Sequence, residues 1–352
     1  MLKDIRKNKK KKNESSIIGR LRGWFYHGRF IGFDIQSIIM TVLTALTIIT
    51  TVIMGLLLYN RFKMAIKQTA VTNTENMVEN TVEKLDADLL NVRQITNAVN
   101  YNIIQEYDIS SRDFNRQFSL LYEINADKIQ SMALYDDKGN LLTAEPVAVQ
   151  KDAVEPSEQD WYQDAEADIE NIHFSIPHIQ NLFVDGTYRY YWVVSLSRSV
   201  DINDGEQPGS GVLLVDMKYS VIENTLARIN DASNGIYYYL CSRDGQMIYH
   251  PRGTDMDRGY FKEEYRDAAT YEDGTYELTV NGRTSNVIVN SVAYTGWKVV
   301  GVVPESVQIA SINRFRYYII TTVIILMMML LGVNRIISKK ISRPILKLNE
   351  SV

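Results

Sequence analysis

The sequence predicts an α+β domain in which two similar strand-rich lobes sit on a long N-terminal helix, the whole held between two membrane-spanning helices. Three observations carry that prediction. Two apolar runs, 35–60 and 317–334, contain no charged residue. An unbroken helical pattern follows the first run, with apolar residues three or four apart. A strand–turn–strand unit then occurs twice, at 131–142 with an Asp-Asp-Lys-Gly turn and at 236–249 with an Arg-Asp-Gly turn.

The overall composition excludes several classes. The chain has 352 residues, 45% of them hydrophobic and 23% charged, which excludes a disordered or collagen-like polymer. Its mean hydropathy of −0.17 is too low for a polytopic membrane protein. The single cysteine, Cys241, cannot close an internal disulfide, and no CxxC or Cys/His cluster offers a structural zinc site. Charge is strongly segregated: residues 1–34 carry ten Lys/Arg and three acids, 61–316 carry 23 basic and 38 acidic residues, and 335–352 carry five basic residues and one acid.

The first apolar run, with SIIMTVLTALTIITTVIMGLLLY inside it, reaches ~39 Å as a helix, enough to cross a ~30 Å hydrocarbon layer with some tilt. It is too long for the apolar segment of a cleaved signal peptide and follows 34 residues, so it reads as an uncleaved anchor. The second, YYIITTVIILMMMLLGVN, is about 27 Å long and opens with Tyr317 and Tyr318, as an interfacial aromatic belt would. Cationic flanks remain on the cytoplasmic side of a bilayer. The basic tail 1–34 and the 335–352 segment are therefore expected inside a bacterial cell, and the acidic residues 61–316 outside. The Lys7–Lys12 run beside a span suits anionic lipid rather than nucleic acid.

Residues 61–106 follow without Pro or Gly up to Ile104. Val78, Val82, Leu85, Leu89, Val92, Ile95, Val99 and Ile103 form a heptad-like stripe on a helix of about 60 Å. The stripe can pack on the domain, on a second copy of itself, or on both. Strands are then expected within 128–146, 186–200 and 211–217, and a helix over 221–230 from Val221, Ile222, Leu226 and Ile229. The second strand–turn–strand unit, GIYYYLCSRDGQMIYHP, is followed by GTYELTV, an Asn-Gly turn, TSNVIVNSVAY and WKVVGVVP, a three-strand meander. The alternative to an internal repeat is two unrelated hairpins.

With those elements in place, DWY at 160–162, YYWVVSLSRSV, GVLLVDM and GWKVVGVVP together resemble the double Cache sensor domain of bacterial receptors. The resemblance implies a membrane-distal PAS-like lobe over 107–220, a connecting helix over 221–230, a membrane-proximal PAS-like lobe over 231–304 and a juxtamembrane piece over 305–316. The tail RIISKKISRPILKLNESV resembles the start of a HAMP signalling helix, with Pro344 in an ISRPI-type motif. Ile341, Ile345, Leu348 and Val352 fall at the 4-3-4 spacing of a parallel coiled-coil seam. The signal-transmission residues it implies are Ile341, Pro344, Ile345 and Leu348. WYQDA, YWVVSLSRSV and GQMIYHP look most like YesM-type sensor histidine kinases. That likeness implies a kinase core beyond Val352, with ATP and magnesium needed only there and a response regulator as its partner. A chemoreceptor signalling rod or a cyclic-dinucleotide enzyme can use the same input. A membrane-anchored binding protein without output, and an extracellular enzyme, are the readings from other classes.

The double Cache resemblance also implies a ligand site in the distal lobe. Trp161 and Tyr162 would line it, Tyr188 or Tyr190 would face them, and Asp216 would supply charge. Aromatic faces and one carboxylate suit an ammonium group, through cation–π contacts of ~0.5–2 kcal/mol and a charge-assisted hydrogen bond. The alternative is that these aromatics are core residues with satisfied hydroxyls. The family's amino-acid-binding pattern has an arginine two positions before the tryptophan and a tyrosine five before that arginine. Here those positions hold Gln159 and Val154, which argues against ordinary amino acids. His173 and His178 lack the partners of a metal site, SxSR at 195–198 lacks a paired base, and neither GxSxG nor a phosphate-binding loop occurs. The expected partners are thus a small extracellular ligand, the lipid bilayer and a second copy of the chain, with no cofactor, no metal and no nucleic acid.

Overall fold

The structure, a computed structural model, describes residues 35–168, 171–184, 189–203, 208–230, 235–259, 269–280 and 282–349. The tail 1–34, Tyr188 and the side chains of Ile341, Pro344, Ile345 and Leu348 lie outside what it describes. The chain divides into two units, Met1–Met64 with Ile312–Val352, and Ala65–Ser311.

In the first unit, helix α1 (Ile35–Val99) begins and helix α6 (Glu305–Asn349) ends. Each contains a stretch long and apolar enough to cross a membrane, and almost none of either stretch is buried inside protein. Two polar side chains join them. Asn334 Nδ2 donates to Thr47 Oγ1 at 2.6 Å and to the Leu43 carbonyl at 3.4 Å. Gly55 faces Val323, whose Cγ2 would lie 3.4 Å from an added Cβ. A small residue at a helix contact and an amide spanning it are the two devices that hold helices together where no hydrophobic force separates helix from lipid.

In the second unit α1 ends in a π-helical turn, Asn100–Ile104, closed by Gln105 N donating to Asn100 O at 3.1 Å. Helix α2 (Arg112–Asn125) follows, its first turn capped by the Ser111 hydroxyl accepting from Phe114 N. Strands β1 (Ile129–Asp136), β2 (Leu141–Glu145), β3 (His173–Phe174), β4 (His178–Ile179), β5 (Trp192–Asn203) and β6 (Pro208–Lys218) form an antiparallel sheet of order β2-β1-β6-β5-β3, with β4 also on β5. Helix α3 (Asp160–Ala167) lies between β2 and β3, and α4 (Ser220–Ile229) leads out of β6. Strands β7 (Tyr237–Cys241), β8 (Met247–Tyr249), β9 (Gly274–Val280), β10 (Arg283–Ser291) and β11 (Lys298–Pro304) make a second antiparallel sheet, order β8-β7-β11-β10-β9, with short helix α5 (Gly253–Asp257) after β8.

The two sheets share one plan: an edge hairpin, then the last strand, then the strand before it. The hairpin turns match bond for bond. Asp136 and Ser242 each accept from the Gly three residues on, Gly139 at 3.2 Å and Gly245 at 3.0 Å. Their side chains each accept from the amide four residues on, Asn140 at 2.7 Å and Gln246 at 2.9 Å. Both glycines have φ near +80°, where a side chain would be strained. The repeated strand–turn–strand signal is thus a repeated structure.

Both sheets put one face on α1. Val78, Leu85, Leu89, Val92, Ile95, Val99 and Ile103 are buried in a single core with Met132, Leu134, Leu196, Leu213 and Val215 of the first sheet and Leu240, Ile288, Val299 and Val303 of the second, and Val82 packs against it half-buried. Of the three packings left open by the stripe, the domain itself covers it. The approach is closest at Gly301 in β11, where an added Cβ would lie 2.6 Å from Thr74 Cγ2 and 2.8 Å from Val78 Cγ2. Gly301→Ala is therefore expected to cost about 1–3 kcal/mol by forcing helix and sheet apart. Gly253→Ala, which would meet nothing within 4 Å, should leave the melting temperature unchanged. Thermal unfolding of the two variants side by side checks this.

Candidate functional site

Strand alternation sends the residues of β1, β5 and β6 that do not face α1 to the opposite side of the first sheet. The register there brings Ser131, Asp216 and Ser195 directly side by side on three neighbouring strands. Ala133 and Tyr135 on β1 and Val212 and Leu214 on β6 continue that face, and Trp161, Tyr162 and Ala165 of α3 cover it together with Leu182 and Phe183.

Asp216 is 1% exposed. Its carboxylate accepts from Ser131 Oγ at 2.7 Å and from Ser195 Oγ at 2.5 Å. Ser195 Oγ also lies 3.3 Å from His178 Nε2, and His178 Nδ1 lies 3.2 Å from Ser175 Oγ, which accepts from Ser195 N at 2.9 Å. A polar chain thus runs from the carboxylate across β5 to the β3–β4 segment. Burial raises the Asp216 pKa, since charge is costly away from water, and the two hydroxyl donors and the nearby His178 pull against that rise.

Two further polar atoms on this face are buried with no hydrogen-bond partner among the described residues: Tyr135 Oη and Ser197 Oγ. Burial, and then the Asp216 charge, pushes the Tyr135 hydroxyl well above its ordinary pKa. The Tyr135 ring lies 5.5 Å from the Trp161 ring. Unpaired buried hydroxyls are costly, commonly ~1–3 kcal/mol each, so a carboxylate sharing its sheet face with two of them is an arrangement that a polar ligand would complete.

Of the residues singled out from the sequence, the structure brings together Trp161, Tyr162 and Asp216. Tyr162 is committed to the framework: its hydroxyl donates to Asp136 O at 2.7 Å, pinning α3 to the β1–β2 turn, and burial raises its pKa to about 12. Tyr190 is corrected. It is 80% exposed, because β5 begins only at Trp192 and the residues before it are not held in the sheet's alternation. Val154 packs half-buried on the covering cluster, and Gln159, also half-buried, holds the N-cap position of α3 without a side-chain cap bond. Ser131, Tyr135, Ser195, Ser197 and the role of His178 were not foreseen. The readable signal is Ser195 and Ser197, two small polar residues at period two that follow the apolar start of the strand, Trp192, Val193 and Val194. Among the described residues no cluster of His, Cys, Asp or Glu is grouped to hold a metal ion.

The dCache_1 family model, a Cache domain, matches residues 62–312, most of the chain and all of both sheets. The chain belongs to the Cache domain family. The Cache fold is also that of the ligand-binding domain of Mlp24 solved with asparagine (TM-score 0.52, 14% identity, 71% of this chain and 98% of that one). The ligand-binding domain of the Pseudomonas fluorescens chemoreceptor CtaA in complex with L-leucine matches with a TM-score of 0.50 and 20% identity, over 70% of this chain and 99% of that one. Curated relatives include a probable methyl-accepting chemotaxis protein of Bacillus thuringiensis, 20% identical over 301 residues. Another is the methyl-accepting chemotaxis protein TlpA of Bacillus subtilis, 24% identical over 200. This Cache chain is covered to 82% and 56% in those matches, and spans 42% and 27% of the relatives' lengths. It carries the Cache sensor domain of a transmembrane receptor, resembling chemoreceptor ligand-binding domains.

The Asp216 shift fixes the sign of a stability effect. A carboxyl whose folded pKa is raised stabilises the fold fully only below its unfolded pKa, 3.8, and that contribution is lost as pH rises through the folded value. At pH 7, above the unfolded pKa, the buried acid is a burden, so Asp216→Asn should melt at or above the temperature of the unaltered protein, with the advantage shrinking on acidification toward pH 4. A large drop in melting temperature at pH 7 would show the carboxylate to be a structural anchor instead.

Proposed function

We propose that the Cache domain of this receptor binds a small extracellular solute carrying an ammonium group, held at Asp216 beneath Trp161. The observation that carries this reading is the buried carboxylate on the same sheet face as two hydroxyls without a partner among the described residues, a face that aromatic rings cover. The ammonium would take the charge of Asp216, and Tyr135 and Ser197 would meet the solute's polar atoms. Solved relatives are complexes with asparagine and L-leucine, free amino acids with both an ammonium and a carboxylate. With Gln159 and Val154 in place of the family's arginine and tyrosine, this site favours an amine without an α-carboxylate.

In the same reading, both apolar helices span the bacterial membrane with 61–316 outside and both termini in the cytoplasm, and the chain works as a homodimer. A ligand entering between α3 and the sheet would move α3 and the turn that Tyr162 ties to it. Residues 335–352 would act as the first HAMP helix, with Ile341, Pro344, Ile345 and Leu348 passing the change to an output domain. A methyl-accepting signalling rod is supported by the curated relatives, and a histidine kinase, acting on a response regulator with ATP and magnesium, by the YesM-type resemblance.

Two measurements test this. The full chain in nanodiscs, screened against primary amines and free amino acids by thermal shift, should be stabilised by an amine. Its affinity should fall at least tenfold in Asp216→Asn and Trp161→Ala, and weaken on acidification, because protons compete for a carboxyl of raised pKa. Binding that survives Asp216→Asn unchanged would sink the assignment. Cysteines at Ile341, Ile345 and Leu348 should crosslink in membranes faster than those at Lys340 and Lys347. Equal rates would remove the coiled-coil output.

A further inference from the structure

The same sheet has a second polar feature on its other side. Arg93, Asn97 and Tyr101 stand four residues apart on one face of the α1 end, each step rising about 6 Å. With Asn171, Ile172, Phe174, Arg198 and Tyr294 they line a cavity of about 280 Å³ open to solvent. It draws on α1, on both β3 and β5 of the first sheet, and on the turn after β10 in the second.

Each arginine has a tyrosine ring within cation–π range. The Arg93 guanidinium lies 5.6 Å from the Tyr294 ring centre, and Arg198 lies 5.6 Å from that of Tyr101. A cation–π contact uses none of the five N–H donors of a guanidinium, which stay available for hydrogen bonds. Arg198 Nη1 spends one donor on Asn97 Oδ1 at 2.9 Å, and its Nε reaches the Ser199 carbonyl at 3.5 Å. Neither arginine has a carboxylate partner among the described residues, and Arg93 has no hydrogen-bond acceptor among them. The nearby Asp86 is occupied, accepting from Ala293 N at 2.9 Å and Tyr294 N at 3.4 Å. This is unusual in a segment with 38 acids against 23 basic residues, where an exposed arginine readily finds a carboxylate. Tyr101 also sits within the π-helical turn, a distortion that helices adopt mostly where function needs it.

We infer that this cavity is a binding site for a small oxyanion, a carboxylate or phosphate group, gripped by the edges of Arg93 and Arg198 with the Asn97 and Asn171 amides beside them. Ile172 and Phe174 form an apolar floor for the ligand's carbon part. The site is separate from the Asp216 site, since Ser195 and Ser197 point to one side of β5 and Arg198 to the other. An anion there would tie α1, the first sheet and the turn after β10 together.

The test uses the full chain in nanodiscs at constant ionic strength, with sodium malonate and inorganic phosphate as separate probes and chloride as the reference salt. Malonate, phosphate or both should raise the melting temperature above chloride, and which one does names the group recognised. The apparent affinity should fall at least tenfold in Arg93→Ala, whose side chain is exposed and whose loss should not impair folding, and in Arg198→Lys, which keeps the charge and loses the fork. Asp216→Asn should bind the anion as the unaltered protein does. No shift beyond chloride with either probe, or equal affinity in Arg93→Ala, would overturn the site. Loss of anion binding in Asp216→Asn would also overturn it, by making the two sites one.

Discussion

Everything in the unit Ala65–Ser311 depends on one apolar stripe. Seven of its eight residues on α1 are buried, and they are buried against two different sheets at once. Neither sheet could bury that face alone. A five-stranded antiparallel sheet with one bare side exposes its strongest strands, and here Val299 and Val303 of one sheet and Leu213 and Val215 of the other rest on the same helix. The helix is therefore a shared wall. Gly301 shows how tightly it is built, since the second sheet approaches within the reach of a single methyl group. Polar ties then fix the register of helix on sheet. Glu75 accepts from Thr275 Oγ1 at 2.7 Å, and Asp86 accepts from two amides of the turn after β10.

Because α1 takes one face of the first sheet, only the other is left for α3 and the Asp216 cluster. The cost of that arrangement is visible in the buried polar atoms. Strands β1, β5 and β6 are covered on both sides, yet Ser131, Ser195, Ser197 and Asp216 interrupt the apolar pattern on the side away from α1. A sheet selected only for stability would place valine or alanine there. Polar residues that are partly unpaired and concentrated in one patch mark a surface shaped for something other than folding.

The long-range plan was legible because its signals are local. Helical spacing over 78–103, two charge-free runs and two Asp- and Gly-bearing turns each declare themselves within a short window, and repetition of the turn announced the second lobe. The site was only half legible. Trp161 and Asp216 stand out by residue type, but their neighbours are set by strand register: Ser131 and Asp216 meet across 85 positions, Ser195 and Asp216 across 21. Tyr135 read as one more apolar strand residue because its hydroxyl matters only once Trp161 covers it. Tyr190 misled for the opposite reason, since aromatic richness was taken for strand two residues before the strand begins. The Arg93–Arg198 cavity left no motif at all, being assembled from a helix, an irregular segment, a strand and a turn.

Strand β5 links the two polar features, carrying Ser195 and Ser197 on one side and Arg198 on the other. A strand paired on both edges moves as a body, so a shift that closes the Asp216 face around a ligand must be matched on the α1 face. Two ligands on opposite faces of such a wall need not touch to influence one another. It is enough that each prefers one position of β5 against α1. The coupling between them is then reciprocal: whatever factor the anion applies to amine affinity, the amine applies to anion affinity. It also has a limit, because a ligand shifts the balance of two arrangements only by its difference in affinity for them. The two arginines, each beside a tyrosine ring, would supply such a difference. Arg198 is on the sheet and Arg93 on the helix, so a single oxyanion gripped by both is bound well only when helix and sheet keep one spacing. The second site is thereby a gauge of the movement that the first would have to produce.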